Sequence, residues 1–149
     1  MADHLSPERR IPLRLLAYWE KLRKGRPMPG EHDITPDDIS DLWDSCFLID
    51  VKAASLPEYQ YSYLGRDIVE AYRGSISESD PGGILSPHAG MVDAYMTVVQ
   101  TRKPLIESGE FRNLRNQPVK YRQCLLPLGE GEEVRAIFGA MHLRIFPAS

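Results

Sequence analysis

Cysteine is nearly missing from this chain of 149 residues: Cys46 and Cys124 are the two present, in no CxxC or CxxH spacing. A disulfide scaffold is excluded, and no zinc site is indicated. Long hydrophobic runs are missing too. No stretch approaches the roughly 18 consecutive apolar residues that cross a bilayer, and Met1 to Arg10 lacks the apolar core of a signal peptide, so a cytoplasmic protein with no membrane partner is expected. Neither sign of charge dominates. Eighteen Lys+Arg against 21 Asp+Glu leave a net charge of −3, which supplies no general attraction to a nucleic-acid backbone. Phosphate-cradling glycine patterns are also lacking: Gly82-Gly83 stands alone, without GxGxxG or GxxxxGK[ST], so nucleotide hydrolysis is not expected.

What is present is an ordinary globular composition, 42% hydrophobic and 26% charged, in a length that fits one domain of about 100–200 residues. Ser6-Pro7, Thr35-Pro36 and Ser86-Pro87 each place a hydroxyl at an N-cap and a proline at the first helical position, which predicts three helix starts. The first helix runs through Leu13, Leu15, Leu16, Tyr18, Trp19 and Leu22 and stops at Gly25; Pro12 implies either a start at Ile11 or a kink. The second is short, from Thr35 to Leu42-Trp43. The third carries His88, Met91, Val92, Tyr95, Met96, Val98 and Val99 on one wide face and ends near Thr101-Arg102.

Five extended segments complete the pattern. Cys46 to Val51 and Tyr59 to Leu64 read as a hairpin with Lys52 to Glu58 as its loop. Leu105 to Phe111, Val119 to Leu128 and Val134 to Phe146 follow, joined by two hairpin turns. Alternation puts Tyr59, Tyr61 and Tyr63 on one face of their strand, and gives the last strand one core face, Ile137, Gly139, Met141, Leu143 and Ile145. The element order implies an α+β protein built on one antiparallel sheet.

Two strands, a short helix at Asp67 to Tyr72, a long helix and three strands is the order of a PAS domain. Tyr18-Trp19-Glu20-Lys21-Leu22-Arg23-Lys24-Gly25-Arg26-Pro27-Met28-Pro29, Asp33-Ile34-Thr35-Pro36 and Phe47-Leu48-Ile49-Asp50-Val51 resemble the opening of the single-domain PAS family widespread in alphaproteobacteria. Tyr63-Leu64-Gly65-Arg66-Asp67-Ile68 with Tyr72-Arg73-Gly74, then Leu125-Leu126-Pro127-Leu128 and Ile137-Phe138-Gly139-Ala140, resemble its later elements. The resemblance implies a PAS fold, a five-stranded antiparallel sheet with helices on one face and an added N-terminal helix. It divides the chain into an extension at 1–10, a PAS-like domain at 11–146 and a tail at 147–149. It also implies a stand-alone sensory or interaction module of bacterial signalling that binds a small ligand, a protein partner or both, and not an enzyme. The alternatives are an enzyme using the PAS-like cavity, for which Asp50 is the strand carboxylate to check, and an oligomerisation domain without ligand.

No catalytic signature or metal set carries over from that family, so candidate sites are argued from the residues. The cofactor stays unknown. Flavin-binding relatives place a reactive cysteine on the helix after the second strand, whereas Asp67 to Tyr72 has none, so flavin is not expected. His88 lies on the element that carries the iron ligand in haem-binding PAS domains, with Met91, Tyr95 and Met96 as walls; the plainer reading is an exposed first-turn residue, and haem is not expected. The resemblance places Tyr72, Tyr95 and Tyr121 on elements that surround the PAS cavity; Tyr63, Tyr72, Tyr95, Met91 and Met141 are the candidate ligand contacts, since buried tyrosines need a partner for the hydroxyl, and the plainer reading of the aromatic row is core or an interface. Arg112, Arg115, Lys120 and Arg122, with Arg102 and Lys103 nearby, form a basic turn suited to an anion, Arg112 and Arg122 being the candidate ligand residues. Cys46 and Cys124 make a redox pair if their strands adjoin, and otherwise two small hydrophobes. The stripe of the first helix suits a homodimer contact, its own sheet, or both.

Overall fold

A computed structural model describes residues 7–52, 58–73 and 91–147. The predicted order is present: α1 (Pro7–Arg23), β1 (Cys46–Lys52), β2 (Glu58–Leu64), α2 (Arg66–Arg73), α3 (Val92–Thr101), β3 (Leu105–Arg112), β4 (Pro118–Glu130) and β5 (Glu133–Ile145). The strands form one antiparallel sheet in the order β2-β1-β5-β4-β3. The start of the third helix at Ser86-Pro87, His88 and most of the loop after β1 lie outside the described residues. Among the described residues no helix is long and apolar enough to cross a membrane.

β5 sits at the centre and is apolar on both sides. Ile137 and Met141 join Phe47, Ile49 and Leu125 beneath α2 and α3, which contribute Ile68, Ala71, Tyr72, Tyr95 and Val98. Phe138 and Ala140 join Leu126 and Leu128 beneath α1, which contributes Leu15 and Trp19. The expectation of a single core face on the last strand is therefore corrected. A strand paired on both edges and covered on both faces needs apolar residues at successive positions, not at alternate ones. Gly139 answers the tightest spot: a Cβ there would stand 2.5 Å from Cζ of Phe47 and 2.4 Å from the Cys124 carbonyl oxygen.

α1 runs through Pro12 without interruption of the assigned helix. Leu15 and Trp19, one turn apart, point into the sheet, and the Trp19 indole N–H donates to the Pro127 carbonyl at 2.8 Å in a buried setting. The stripe is thus consumed largely within the chain.

The predicted second helix is instead a 3₁₀ segment, Pro36–Ser45, broken at Ile39 (φ −134°, ψ 37°), and the Thr35 side chain makes no cap bond. Asp37, Asp38, Asp41 and Asp44 favour local hydrogen bonding over regular helix. The segment is tied down from α1: the Tyr18 hydroxyl donates to Asp38 (3.0 Å) and accepts from the Thr35 N–H (3.0 Å), and Arg14 pairs with Asp41.

Replacing Trp19 by Phe keeps most of the packing but strands a buried carbonyl. The substitution is expected to lower stability by about 1–3 kcal/mol, read from the urea midpoint at unchanged m-value; an unaltered midpoint would show that the indole bond does not anchor α1.

Candidate functional site

A β-bulge decides which tyrosines meet. Leu48 pairs with Tyr63 and Ile49 with Tyr61, so Ser62 is the extra residue, and an extra residue reverses the alternation beyond it. Tyr61 packs with the α2/α3 core, whereas Tyr63 packs on the α1 side. There Tyr63 stacks on Trp43 with centroids 4.6 Å apart and donates to the Trp43 carbonyl at 3.0 Å. The expectation that Tyr61 and Tyr63 share a face is corrected, and Tyr63 does not join Tyr95. The side chain of Tyr59 lies outside the described residues.

Tyr72, Met91, Tyr95 and Met141 do come together, in the core under α2 and α3. The Tyr61 and Tyr72 hydroxyls are 3.1 Å apart, and Tyr72 and Tyr95 both direct their hydroxyls to the Met91 sulfur, at 3.6 and 3.4 Å. Burial pushes the phenol pKa of Tyr61 and Tyr95 well above the usual value. Two further polar residues share this face. Gln123, fully buried, donates to the Glu107 carboxylate at 2.5 Å, and the Tyr121 hydroxyl bonds the same carboxylate. Burial first and Glu107 second push the Tyr121 phenol up to about 12. Among the described residues, the Oε1 of Gln123 is buried without a hydrogen-bond donor. Glu107 and Gln123 were legible only as polar interruptions among apolar neighbours on that face.

α2 is locked to the far turn of the β3–β4 hairpin. Asn113 donates through Nδ2 to the Ala71 carbonyl (3.0 Å), its Oδ1 accepts the N–H of Arg115 (3.0 Å) and of Gln117 (2.9 Å), and the Leu114 N–H reaches the Tyr72 carbonyl (2.9 Å).

The basic residues divide. Arg112 donates to the Asn116 carbonyl at 2.8 Å within the turn. Arg122 lies on the α1 side of β4 and donates to Ser108 Oγ at 3.2 Å. Arg102 and Lys103 sit before β3, at the other end of a strand of eight residues, roughly 25 Å away at about 3.4 Å per residue. They line a groove of about 680 Å³ with Leu16, Trp19, Arg23 and Pro27, and so are not part of the basic turn.

Cys46 and Cys124 both pair with Ala140, from opposite sides of β5. Their strands do not adjoin: two strand spacings separate them by roughly 9–10 Å, beyond disulfide reach. The redox-pair reading is corrected. Both are free, buried, and pushed up to about 12, Cys124 by burial and Cys46 by burial first and then the charges of Asp41 and Cys124. Asp50, the strand carboxylate, is half-buried and lies near Glu31, whose carboxyl is raised by burial and then by Asp50, with Arg135 opposing.

The architecture, a five-stranded antiparallel sheet with α2 and α3 over one face, is that of the PAS and LOV class of domains. A PAS domain family model matches residues 9–61. Among solved structures the chain resembles the Rhodobacter sphaeroides LOV protein, with 16% identity over 72% of this chain and 65% of that one at a TM-score of 0.50. The RsLOV d2 variant matches at 15% identity, with the same 72% and 65% coverage and a TM-score of 0.50. The match thus spans just under two thirds of those proteins. No curated protein matches the chain in sequence. The chain thus has a PAS-like fold, and its residues 9–61 match the PAS domain family model.

Cys46, Cys124, Tyr61, Tyr95 and Tyr121 have folded-state pKa values above their ordinary ones, so the folded form keeps protons that the unfolded chain loses. Their stability contribution is full below about pH 9 and falls as pH climbs toward about 12. Unfolding free energies measured across that window should decline, and neither thiol should react with a thiol reagent until the chain unfolds; rapid labelling of the native protein would contradict the burial described.

Proposed function

We propose that this PAS-like protein is a sensory and interaction module of bacterial signalling, working in the cytoplasm. It takes a small ligand on the α2/α3 side of the sheet, among Tyr72, Met91, Tyr95 and Met141. The observation that carries this reading is the line of buried polar groups there. The Tyr61 hydroxyl bonds to those of Tyr72 and Tyr95, Tyr72 and Tyr95 both reach the Met91 sulfur, and Gln123 Oε1 is left without a donor among the described residues. A buried acceptor left unmade costs about 1–3 kcal/mol, and a ligand N–H or O–H would remove that cost. The PAS fold is typically sensory and not enzymatic, and the reading assigns no chemistry to the chain.

Signalling requires that the ligand bind two arrangements of the protein with different affinity. The Asn113 bracket between α2 and the hairpin supports a relay from the tyrosine cluster to the end of the sheet. Native mass spectrometry of protein purified from its own host is expected to show an added mass that Gln123→Leu loses. A bare polypeptide mass in the unaltered protein would sink the ligand reading.

PAS domains commonly mediate protein interaction and dimerisation. With Leu15 and Trp19 turned inward, the outer side of α1, where Leu13 is 50% exposed, is the face left for a second copy or a protein partner. Leu13→Glu is expected to convert a dimer to a monomer by light scattering with little change in melting temperature; a persisting dimer would move the contact elsewhere.

A further inference from the structure

Cations gather on the α1 side of the sheet beyond the end of the apolar cover. Leu126, Cys124, Phe138 and Ala140 lie under α1; the next cross-strand rows on that side are Ser108–Arg122–His142 and Glu110–Lys120–Arg144. A cavity of about 200 Å³ opens there, lined by Ser108, Lys120, Arg122, His142 and Arg144 together with Gly109 and Tyr121. None of the described side chains of α1 lines it.

The arrangement is electrostatically unfavourable as it stands. Lys120 is directly opposite Arg144, and like charges so placed destabilise a sheet. Both are held beside the Phe146 ring, at 5.3 and 5.4 Å from its centroid. Among the described residues, Lys120, Arg122 and Arg144 form no ion pair. Glu110 is the one carboxylate in the two rows, which leaves two positive charges over. Arg122 adds a held fork: Nη1 is fixed on Ser108, and Nε is buried without an acceptor among the described residues.

We propose that this cavity binds the dianionic phosphate group of a small phosphomonoester or of free phosphate. Guanidinium groups pair bidentately with such oxyanions, and the charge left over matches a dianion. The volume is below the roughly 300–1,000 Å³ of drug-sized sites, so the cavity takes the phosphate group and leaves any organic part outside. The site is on the opposite side of the sheet from the tyrosine cluster, and its success or failure is independent of the ligand proposed there.

The test is calorimetric titration of the full chain with inorganic phosphate and with glycerol 3-phosphate, ionic strength being held constant with chloride. Saturable binding is expected, weakened tenfold or more by Arg122→Gln and by Arg144→Gln and unchanged by Arg102→Gln. Arg144 is exposed, so its variant should keep the melting temperature and separates lost binding from lost folding. Equal affinity for the two probes assigns the site to the phosphate group alone, and tighter binding of the ester assigns it to a phosphomonoester. Absence of saturable binding by both, or affinity unchanged in both variants, would overturn the proposal.

Discussion

The pairing of β5 with β1 on one edge and β4 on the other is the constraint on which the rest depends. A centre strand has no free edge, and here it has no wet face over its middle. Ala136, Ile137, Phe138, Gly139, Ala140 and Met141 are all buried. Two covers are therefore obligatory, α2 with α3 on one side and α1 on the other. α1 is part of the fold for this reason: Phe138, Leu126 and Leu128 would otherwise face water, and each such side chain is worth about 1.5–3 kcal/mol when buried. Trp19 fastens that cover with a hydrogen bond as well as with area.

The two covers divide the polar residues into two different environments. Under α2 and α3 the hydroxyls of Tyr61, Tyr72 and Tyr95 are enclosed and find one another. Past the reach of α1, Lys120, Arg122 and Arg144 remain in contact with solvent and find no carboxylate among the described residues. The same sheet thus carries a group of enclosed, hydrogen-bonded phenols on one side and an open group of cations on the other. Which residue serves which is settled by the parity of its position along the strand.

That parity explains how much could be read in advance. All five strands were legible from their apolar runs and turn residues, with ends within about two residues of those observed. Tyr72 and Tyr95 were legible from the family resemblance, which places their elements around one cavity, and Met91 from the apolar stripe that leads into α3. Tyr63 was not, because an inserted Ser62 leaves no mark in an aromatic–polar alternation and yet reverses every side chain after it. The pairing of Arg122 with His142 and the separation of Cys46 from Cys124 depend on strand order, which periodicity does not encode. Pro36–Ser45 failed as a helix for a local reason, since its aspartates compete for the backbone bonds that a helix needs.

The order of strands in space also differs from their order along the chain. β5 is the last of the five to be synthesised, yet it lies between β1 and β4. The β1–β2 hairpin has no partner in the sheet, and α1 only part of its surface, until β5 has emerged from the ribosome. The early half of the chain must therefore wait, open, for the strand that joins it to the rest. Completion of the sheet is a late, long-range event, of the kind that folds slowly and leaves unpaired edges exposed to other chains in the meantime.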